Sequence, residues 1–248
     1  MSQNQFAIRF EQVSKTFGDK RVLDKVSFEI ERGLSFCILG RSGTGKSVTL
    51  KLIDGLIKPN EGTISVEGQP ITNLGSRELV PIRKKMGFLF QSGALFDSIT
   101  VGENVAYPLR RHTKKFENEI RQCAREKLAL VGLENDYDKM PDQLSGGMRK
   151  RAALARALAL DPCILLVDEP SAGLDPITSR EIDELLLNLK SRDTTLVVVT
   201  HNIPSARKIG DELAVLHDGH IIARGRPEEL EQSEDELVRE LLQSTSGG

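Results

Sequence analysis

Gly40-Arg41-Ser42-Gly43-Thr44-Gly45-Lys46-Ser47 carries glycine at its first, fourth and sixth positions and closes on Lys-Ser. That is the complete pattern of a loop that wraps phosphate groups. Its surroundings suit the part. Phe36-Cys37-Ile38-Leu39 before it is a continuous apolar run, as in a strand covered on both faces. After it the spacing predicts a helix from about Lys46, with Val48, Leu52, Ile53, Leu56 and Ile57 on one face and Pro59 as its stop. The glycines let the backbone turn its N–H groups toward a phosphate, and the helix N-terminus adds the positive end of its dipole. Lys46 is then expected to bridge the β- and γ-phosphates of ATP, with the Ser47 hydroxyl on Mg²⁺.

Two further stretches fit that reading. Ile164-Leu165-Leu166-Val167-Asp168-Glu169 is an apolar strand ending in two carboxylates. Such a strand delivers Asp168 to the carboxyl edge of a sheet, where open α/β sheets bind ligands. Asp168 is expected to hold Mg²⁺ through water. Glu169 points elsewhere and is the candidate for polarising the attacking water. Leu144-Ser145-Gly146-Gly147-Met148 opens an Arg/Ala/Leu-rich helix reaching about Leu160, with Ser145 as N-cap and two glycines exposing the first-turn amides. It is a second anion site of the same physical kind.

The rest of the chain predicts an α/β protein. Ile8, Phe10 and Val13, then Val26, Phe28 and Ile30, read as antiparallel strands, and Thr63 to Ile71 as a hairpin turning at Glu67-Gly68. Met86 to Phe90 is a buried strand ending at Gln91. From about Ser92 to Asp161 the pattern becomes mostly helical, with Phe116, Ile120, Cys123, Ala124, Leu128 and Val131 on one face. Strands at Ile164 to Val167 and Leu196 to Val199 flank a helix marked by Ile182, Leu185, Leu186 and Leu189. A hairpin turns at Asp218-Gly219, and Leu237, Val238, Leu241 and Leu242 suggest a short helix before a Ser-Thr-Ser-Gly-Gly tail, expected to be disordered.

Composition narrows the function classes. The 248 residues have a net charge of −2, with 39% hydrophobic and 28% charged residues, so no polyanion is required as partner and no nucleic acid is expected. The basic run Arg149-Lys150-Arg151 reads as a solvated helix face. His112, His217 and His220 lack metal-ligand company. Cys37, Cys123 and Cys163 form no metal or disulfide pattern, and Cys37 and Cys163 read as small buried hydrophobes. No secretory leader is read at the N-terminus, and no stretch reaches the roughly 18–20 apolar residues of a membrane span. If the protein serves a membrane, it is expected to do so from the side, through a partner.

Taken together, these motifs resemble the ABC ATPases over nearly the whole length. Gly40 to Ser47 corresponds to Walker A, Gln91 to the Q-loop, Leu144 to Met148 to the signature, and Ile164 to Asp168 with Glu169 to Walker B. Ser171-Ala172-Gly173-Leu174-Asp175 resembles the D-loop, and His201 the switch histidine. The last signature position is Met148 where the family usually has Gln, which puts a polar contact from that position in doubt. Leu-Ser-Gly-Gly-Met, Gln91 to Val101, Glu103 to Leu109 and Asp175-Pro176-Ile177-Thr178 resemble the ATPases of MCE-associated, Mla-type phospholipid transporters.

The resemblance implies a P-loop NTPase (RecA-like) core with an N-terminal antiparallel β-subdomain and an inserted α-helical subdomain. The core and β-subdomain take 1–91 and 162–230, the helical part 92–161, and a C-terminal helix and tail 231–248. It also implies roles. Phe17 stacks on adenine, Gln91 reaches Mg²⁺ and senses the γ-phosphate, His201 holds that phosphate, and Asp175 links two sites. Ser145, Gly146 and Gly147 complete the nucleotide site of a second copy, so ATP is sandwiched in a homodimer. The implied partners are an integral-membrane permease, an MCE protein and a small STAS-domain protein, at the cytoplasmic face of the inner membrane. Leu95 and Phe96, just past Gln91, are the candidate permease contacts. The alternatives are an importer or exporter ATPase for another substrate, a non-transport ABC ATPase, and a non-catalytic cassette.

Overall fold

The computed structural model describes residues 5–190 and 194–243; the expected tail at 244–248 lies outside them. A six-stranded sheet forms the centre. Its strands are β3 (Ser35–Leu39), β6 (Met86–Leu89), β7 (Ile164–Asp168), β8 (Thr195–Thr200), β9 (Glu212–His217) and β10 (His220–Gly225), in the order β10-β9-β3-β8-β7-β6. All pairings are parallel except the β9–β10 hairpin. The continuous apolar runs in β3, β7 and β8 follow from burial on both faces. Cys37, Leu39, Leu165, Val167, Leu196 and Val198 pack on one side with the helices. Phe36, Ile38, Ile164, Leu166, Val197 and Val199 pack on the other, with a second sheet. Alternate residues of one strand thus serve different cores.

The second sheet is antiparallel and contains β1 (Phe6–Phe17), β2 (Lys20–Glu31), β4 (Glu61–Val66) and β5 (Gln69–Pro70), in the order β2-β1-β4-β5. Its inner face stacks Phe10 on Phe28 with centroids 4.4 Å apart, and Phe28 on Phe36 of the central sheet at 5.5 Å. That aromatic column joins the two sheets. The β4–β5 turn at Glu67-Gly68 and the β9–β10 turn at Asp218-Gly219 both have positive φ at each central residue, the turn whose twist suits a two-residue hairpin.

Nine α-helices are present among the described residues, with a short 3-10 turn at Pro141–Gln143: α1 (Lys46–Ile53), α2 (Ser76–Arg83), α3 (Val101–His112), α4 (Glu117–Leu130), α5 (Gly146–Ala157), α6 (Pro176–Lys190), α7 (Ile203–Ile209), α8 (Pro227–Glu231) and α9 (Glu236–Gln243). None is long and apolar enough to cross a membrane. Helices α3 to α5 share one hydrophobic cluster with the adjoining face of the central sheet.

The structure corrects several expectations. Helix α1 ends at Ile53, well before Pro59. Gly55 at φ 66° takes the left-handed position, and its N–H and that of Leu56 bond back to Leu52 and Lys51 at 3.1 and 2.9 Å. That closing motif satisfies the last carbonyls, so Leu56 and Ile57 lie beyond the helix. Phe116 is not on the inner face of α4 but is its exposed N-cap residue. Cys163 is exposed; only Cys37 is buried in the core. The inner face of α3 holds Gly102 and Asn104 beside Val101, Val105 and Leu109.

Candidate functional site

Strands β3, β6, β7 and β8 run parallel, so the residues following their ends meet along one edge of the sheet. β3 leads into Gly40, β6 into Gln91, β7 into Glu169 and β8 into His201. The pairings of Leu39 with Thr200, Leu89 with Val167, and Asp168 with Val199 put these ends in register.

The loop between β3 and α1 turns at Gly43 and Gly45, at φ 81° and 107°. A Cβ at Gly45 would also lie 2.8 Å from a Val22 methyl. Lys46 is buried, and its ammonium donates to the carbonyls of Gly40 and Arg41 at 2.8 and 3.1 Å. It also pairs with Glu169 Oε1 at 3.3 Å. Ser47 Oγ donates to Asp168 Oδ1 at 2.8 Å. Burial pushes the Asp168 carboxyl above the ordinary carboxylate range, opposed chiefly by the Ser47 hydrogen bond.

Glu169 lies at the centre. Its Oε2 accepts the His201 backbone N–H at 3.2 Å and sits 2.8 Å from His201 Nδ1. A carboxylate only accepts, so this contact places the imidazole proton on Nδ1. The backbone of Glu169 is left-handed, φ 46°, an uncommon state for a residue bearing Cβ. One buried carboxylate therefore joins the loop lysine to the residue after β8.

The other expected residues are distributed as follows. Gln91 is solvent-exposed at the end of β6. Phe17 ends β1 and is 47% exposed, with Lys15 Nζ 5.0 Å from its ring centre. Ser145 and Gly146 are exposed at the start of α5, and Ser145 Oγ accepts the Met148 N–H at 3.2 Å. A Cβ on Gly147 would lie 2.3 Å from the Thr178 methyl, so α5 approaches α6 through that glycine. The Met148 side chain packs against the core. Asp175 caps α6: it accepts the Ile177 and Thr178 N–H groups, each at 3.0 Å, and the Thr178 hydroxyl at 2.6 Å. The Thr178 hydroxyl and the backbone donors hold its carboxyl below the usual range.

Several residues here went unread in the sequence. Lys150 is not part of a solvated face; it is 5% exposed and donates to the carbonyls of Gln91 and Glu169. Arg151 is likewise turned inward, donating to the Val131 carbonyl at 3.2 Å. Asn202 caps α7 through Ser205 and donates to Ser171 at 3.3 Å, tying the segment after β8 to that after β7. Asn104 is buried and bonds Phe96 at both its N–H and carbonyl, at 2.8 and 3.0 Å. Arg156 donates to Gly93 and Ala94 at 2.9 and 2.8 Å. Together they set the loop after Gln91 so that Phe96 stands out beside Tyr107, ring centres 5.1 Å apart. Both rings are roughly half exposed, whereas Leu95 packs against the core. The outward apolar pair is Phe96 and Tyr107.

The family model described as ABC transporter matches residues 23–172. The chain is 43% identical over 246 residues to the intermembrane phospholipid transport system ATP-binding protein MlaF of Haemophilus influenzae, covering 99% of this chain and 93% of that one. It is 45% identical to the probable ribonucleotide transport ATP-binding protein mkl of Mycobacterium leprae. There the match covers 95% of this chain and 68% of the relative, and 66% of the Mycobacterium bovis relative of the same name, so this chain spans about two thirds of their length. A solved dimeric structure of the ATP-binding cassette MJ0796 in a post-hydrolysis state, bound to ADP and Pi, has a TM-score of 0.82 and 36% identity. It covers 88% of this chain and 98% of that one.

Proposed function

The chain belongs to the ABC transporter ATPase family, and from that premise we propose that it powers phospholipid transport across a cell envelope as one of two identical cassettes. The observation that carries the catalytic part is the single buried carboxylate of Glu169 held between Lys46 and His201 at the edge where four strand ends meet. Lys46 and the N–H groups of Gly40 to Ser47 bind the phosphates, and Phe17, exposed at the end of β1, stacks on the adenine. The Ser47 hydroxyl and Asp168 carboxylate, 2.8 Å apart, are hard oxygen donors that suit Mg²⁺, with the Gln91 side chain as a further ligand. Mg²⁺ bound there neutralises charge on the phosphate oxygens. Glu169 orients the attacking water and takes its proton, and His201, with a proton on each ring nitrogen, donates from Nδ1 to Glu169 and from Nε2 to the γ-phosphate.

The exposed start of α5 supports the paired arrangement. Ser145 and Gly146 stand exposed at the helix start, a surface suited to the phosphates held by a second copy, with Gly147 behind them letting α5 approach α6. In that arrangement ATP joins two cassettes, and hydrolysis releases them. Asp175, at the head of α6, links the two sites. The cassette divides into a core and β-subdomain at 1–91 and 162–230, a helical part at 92–161 and a C-terminal segment at 231–248. Phe96 and Tyr107 receive the permease, and the cassette sits at the cytoplasmic face of the inner membrane, with an MCE protein and a STAS-domain protein as further subunits.

The phospholipid reading is supported by a relative that this chain matches over nearly its full length, whereas the ribonucleotide name belongs to proteins a third of whose length it does not reach. Purifying the native complex, identifying its subunits, and measuring ATP-dependent phospholipid movement in proteoliposomes test it. ATPase stimulation by ribonucleotide, with no lipid bound or moved, would overturn it in favour of the second reading.

A further inference from the structure

Lys150 is the fifth residue of α5, the helix opened by Ser145, and it points into the molecule. It is 5% exposed, and its ammonium donates to two main-chain carbonyls, those of Gln91 and, at 3.1 Å, Glu169. Taking an ammonium out of water costs several kcal/mol, and carbonyls repay less than a contacting carboxylate would. An unbranched apolar side chain of similar length would fill the same space without that cost, though it would deprive both carbonyls of this donor, so net stability is a weak account of a lysine here.

The Glu169 backbone does account for it. A left-handed conformation at a residue with Cβ costs on the order of 1–2 kcal/mol and persists only where its surroundings enforce it. At Glu169 every polar group is engaged. The N–H donates to Val199 at 2.9 Å, the carboxylate meets Lys46 and His201, and the carbonyl accepts from Lys150 and, at 3.2 Å within its own turn, from the Ala172 N–H. The first three partners belong to the sheet edge and the phosphate loop. Lys150 alone comes from α5, and the same ammonium holds the carbonyl of Gln91.

We infer that Lys150 is a positioning residue for ATP hydrolysis: it fastens the backbone carbonyls of Glu169 and Gln91 to α5, so that α5 sets where the Glu169 carboxylate stands. The inference rests on the reading of Glu169 as the group that orients the attacking water. Displacing that carboxylate by about 1 Å lowers the rate by up to about 10²-fold, while the phosphate loop is left as it is. Lys150→Met therefore lowers kcat about 10–100-fold with KM for ATP within twofold of the parent.

The test uses the full-length chain in its purified transporter complex. Steady-state ATPase, fluorescent-ATP binding and thermal unfolding are measured for Lys150→Met, Lys150→Arg, Glu169→Gln and the double variant Lys150→Met/Glu169→Gln. Lys150→Met is expected to bind ATP normally and lose kcat, with an unfolding midpoint within about 10 °C of the parent's. Lys150→Arg, which keeps the donors and the charge, recovers at least half of kcat. In single-turnover measurements the double variant is no slower than Glu169→Gln alone, because Lys150 acts through Glu169. A further loss in the double variant as large as in the single one overturns the inference. So does a raised KM with kcat intact, a Lys150→Arg as slow as Lys150→Met, or a midpoint lowered by more than about 10 °C in Lys150→Met, which makes the lysine structural. Near-normal turnover in Glu169→Gln instead removes the premise, a result separable from all of these.

Discussion

Replacing Glu169 by glutamine changes one atom's chemistry and leaves the volume alone. The parent carboxylate faces Lys46 Nζ at 3.3 Å on one oxygen and two His201 donors on the other. An amide cannot accept on both sides. With its carbonyl toward His201, its NH₂ meets the Lys46 ammonium, donor against donor. The gross Coulomb attraction lost is about 5 kcal/mol at 3.3 Å and an effective dielectric of about 20. Relief of desolvation offsets much of it, leaving about 1–3 kcal/mol for a broken charged hydrogen bond. In a domain of this size that is roughly 2–10 °C in Tm. Hydrolysis suffers more, since loss of a general base lowers the rate about 10²–10⁴-fold, or about 2.7–5.4 kcal/mol of barrier. Nucleotide binding persists because Lys46, Ser47 and the loop amides are untouched. The assay is phosphate release under single turnover, with size-exclusion chromatography in Mg-ATP to detect a retained dimer. Slow hydrolysis, ATP still bound and a lower Tm without nucleotide are expected. Turnover within threefold of the parent would refute the assignment of Glu169 as the base.

Four more outcomes follow from the same geometry. Lys46→Ala removes the cation that bonds Gly40 and Arg41 and faces Glu169, so ATP binding by equilibrium dialysis should fall below detection. Ser145→Arg places a bulky cation at the exposed start of α5; Mg-ATP should still bind, but the dimer seen by light scattering with the Glu169→Gln background should be lost. Phe96→Asp and Tyr107→Asp should each abolish co-purification with the permease while nucleotide binding by the isolated chain is kept, and Leu95→Asp should instead lower Tm, because Leu95 packs against the core. Burial raises the Asp54 pKa from 3.8 to about 6, opposed by Arg83. Between those values the folded chain holds more protons than the unfolded one, so stability falls as pH rises through that window. Ionised Asp54 thus costs roughly 3 kcal/mol at neutral pH, and Asp54→Asn should show a smaller fall than the parent in urea unfolding between pH 4 and pH 7.5, the remainder coming from Asp168 and Asp183, which burial also raises.

The nucleotide motifs are legible in the sequence because each is local. A glycine pattern between an apolar run and a helix specifies its own backbone, and a strand that ends in two carboxylates specifies where they emerge. The central strands are legible for the same reason, since a continuous apolar run needs cover on both sides, and the two cores here supply it. Tertiary decisions were harder to read. Phe116 completes a helical stripe on paper yet stands before the first turn of α4. The inner face of α3 contains a glycine and an asparagine, the latter buried because its amide closes the Phe96 loop.

Lys150 shows where a finer reading was available. Within Arg149-Lys150-Arg151 composition suggests one solvated face, but three consecutive residues of a helix span about 200° and cannot share one. Gly147, Lys150 and Leu154 recur at helical spacing and are all buried in α5, so spacing alone separates Lys150 from exposed Arg149. A lysine assigned by periodicity to an inner face needs acceptors. The candidates supplied by the fold are the free carbonyls where strands end, which is where ligands gather in a parallel sheet. The periodicity that locates a core residue thus also locates a buried charge. A charge so placed points to the end of an element, where carbonyls lack partners: the ends of β6 and β7 for Lys150 and the end of α4 for Arg151, and only the strand ends coincide with the functional edge.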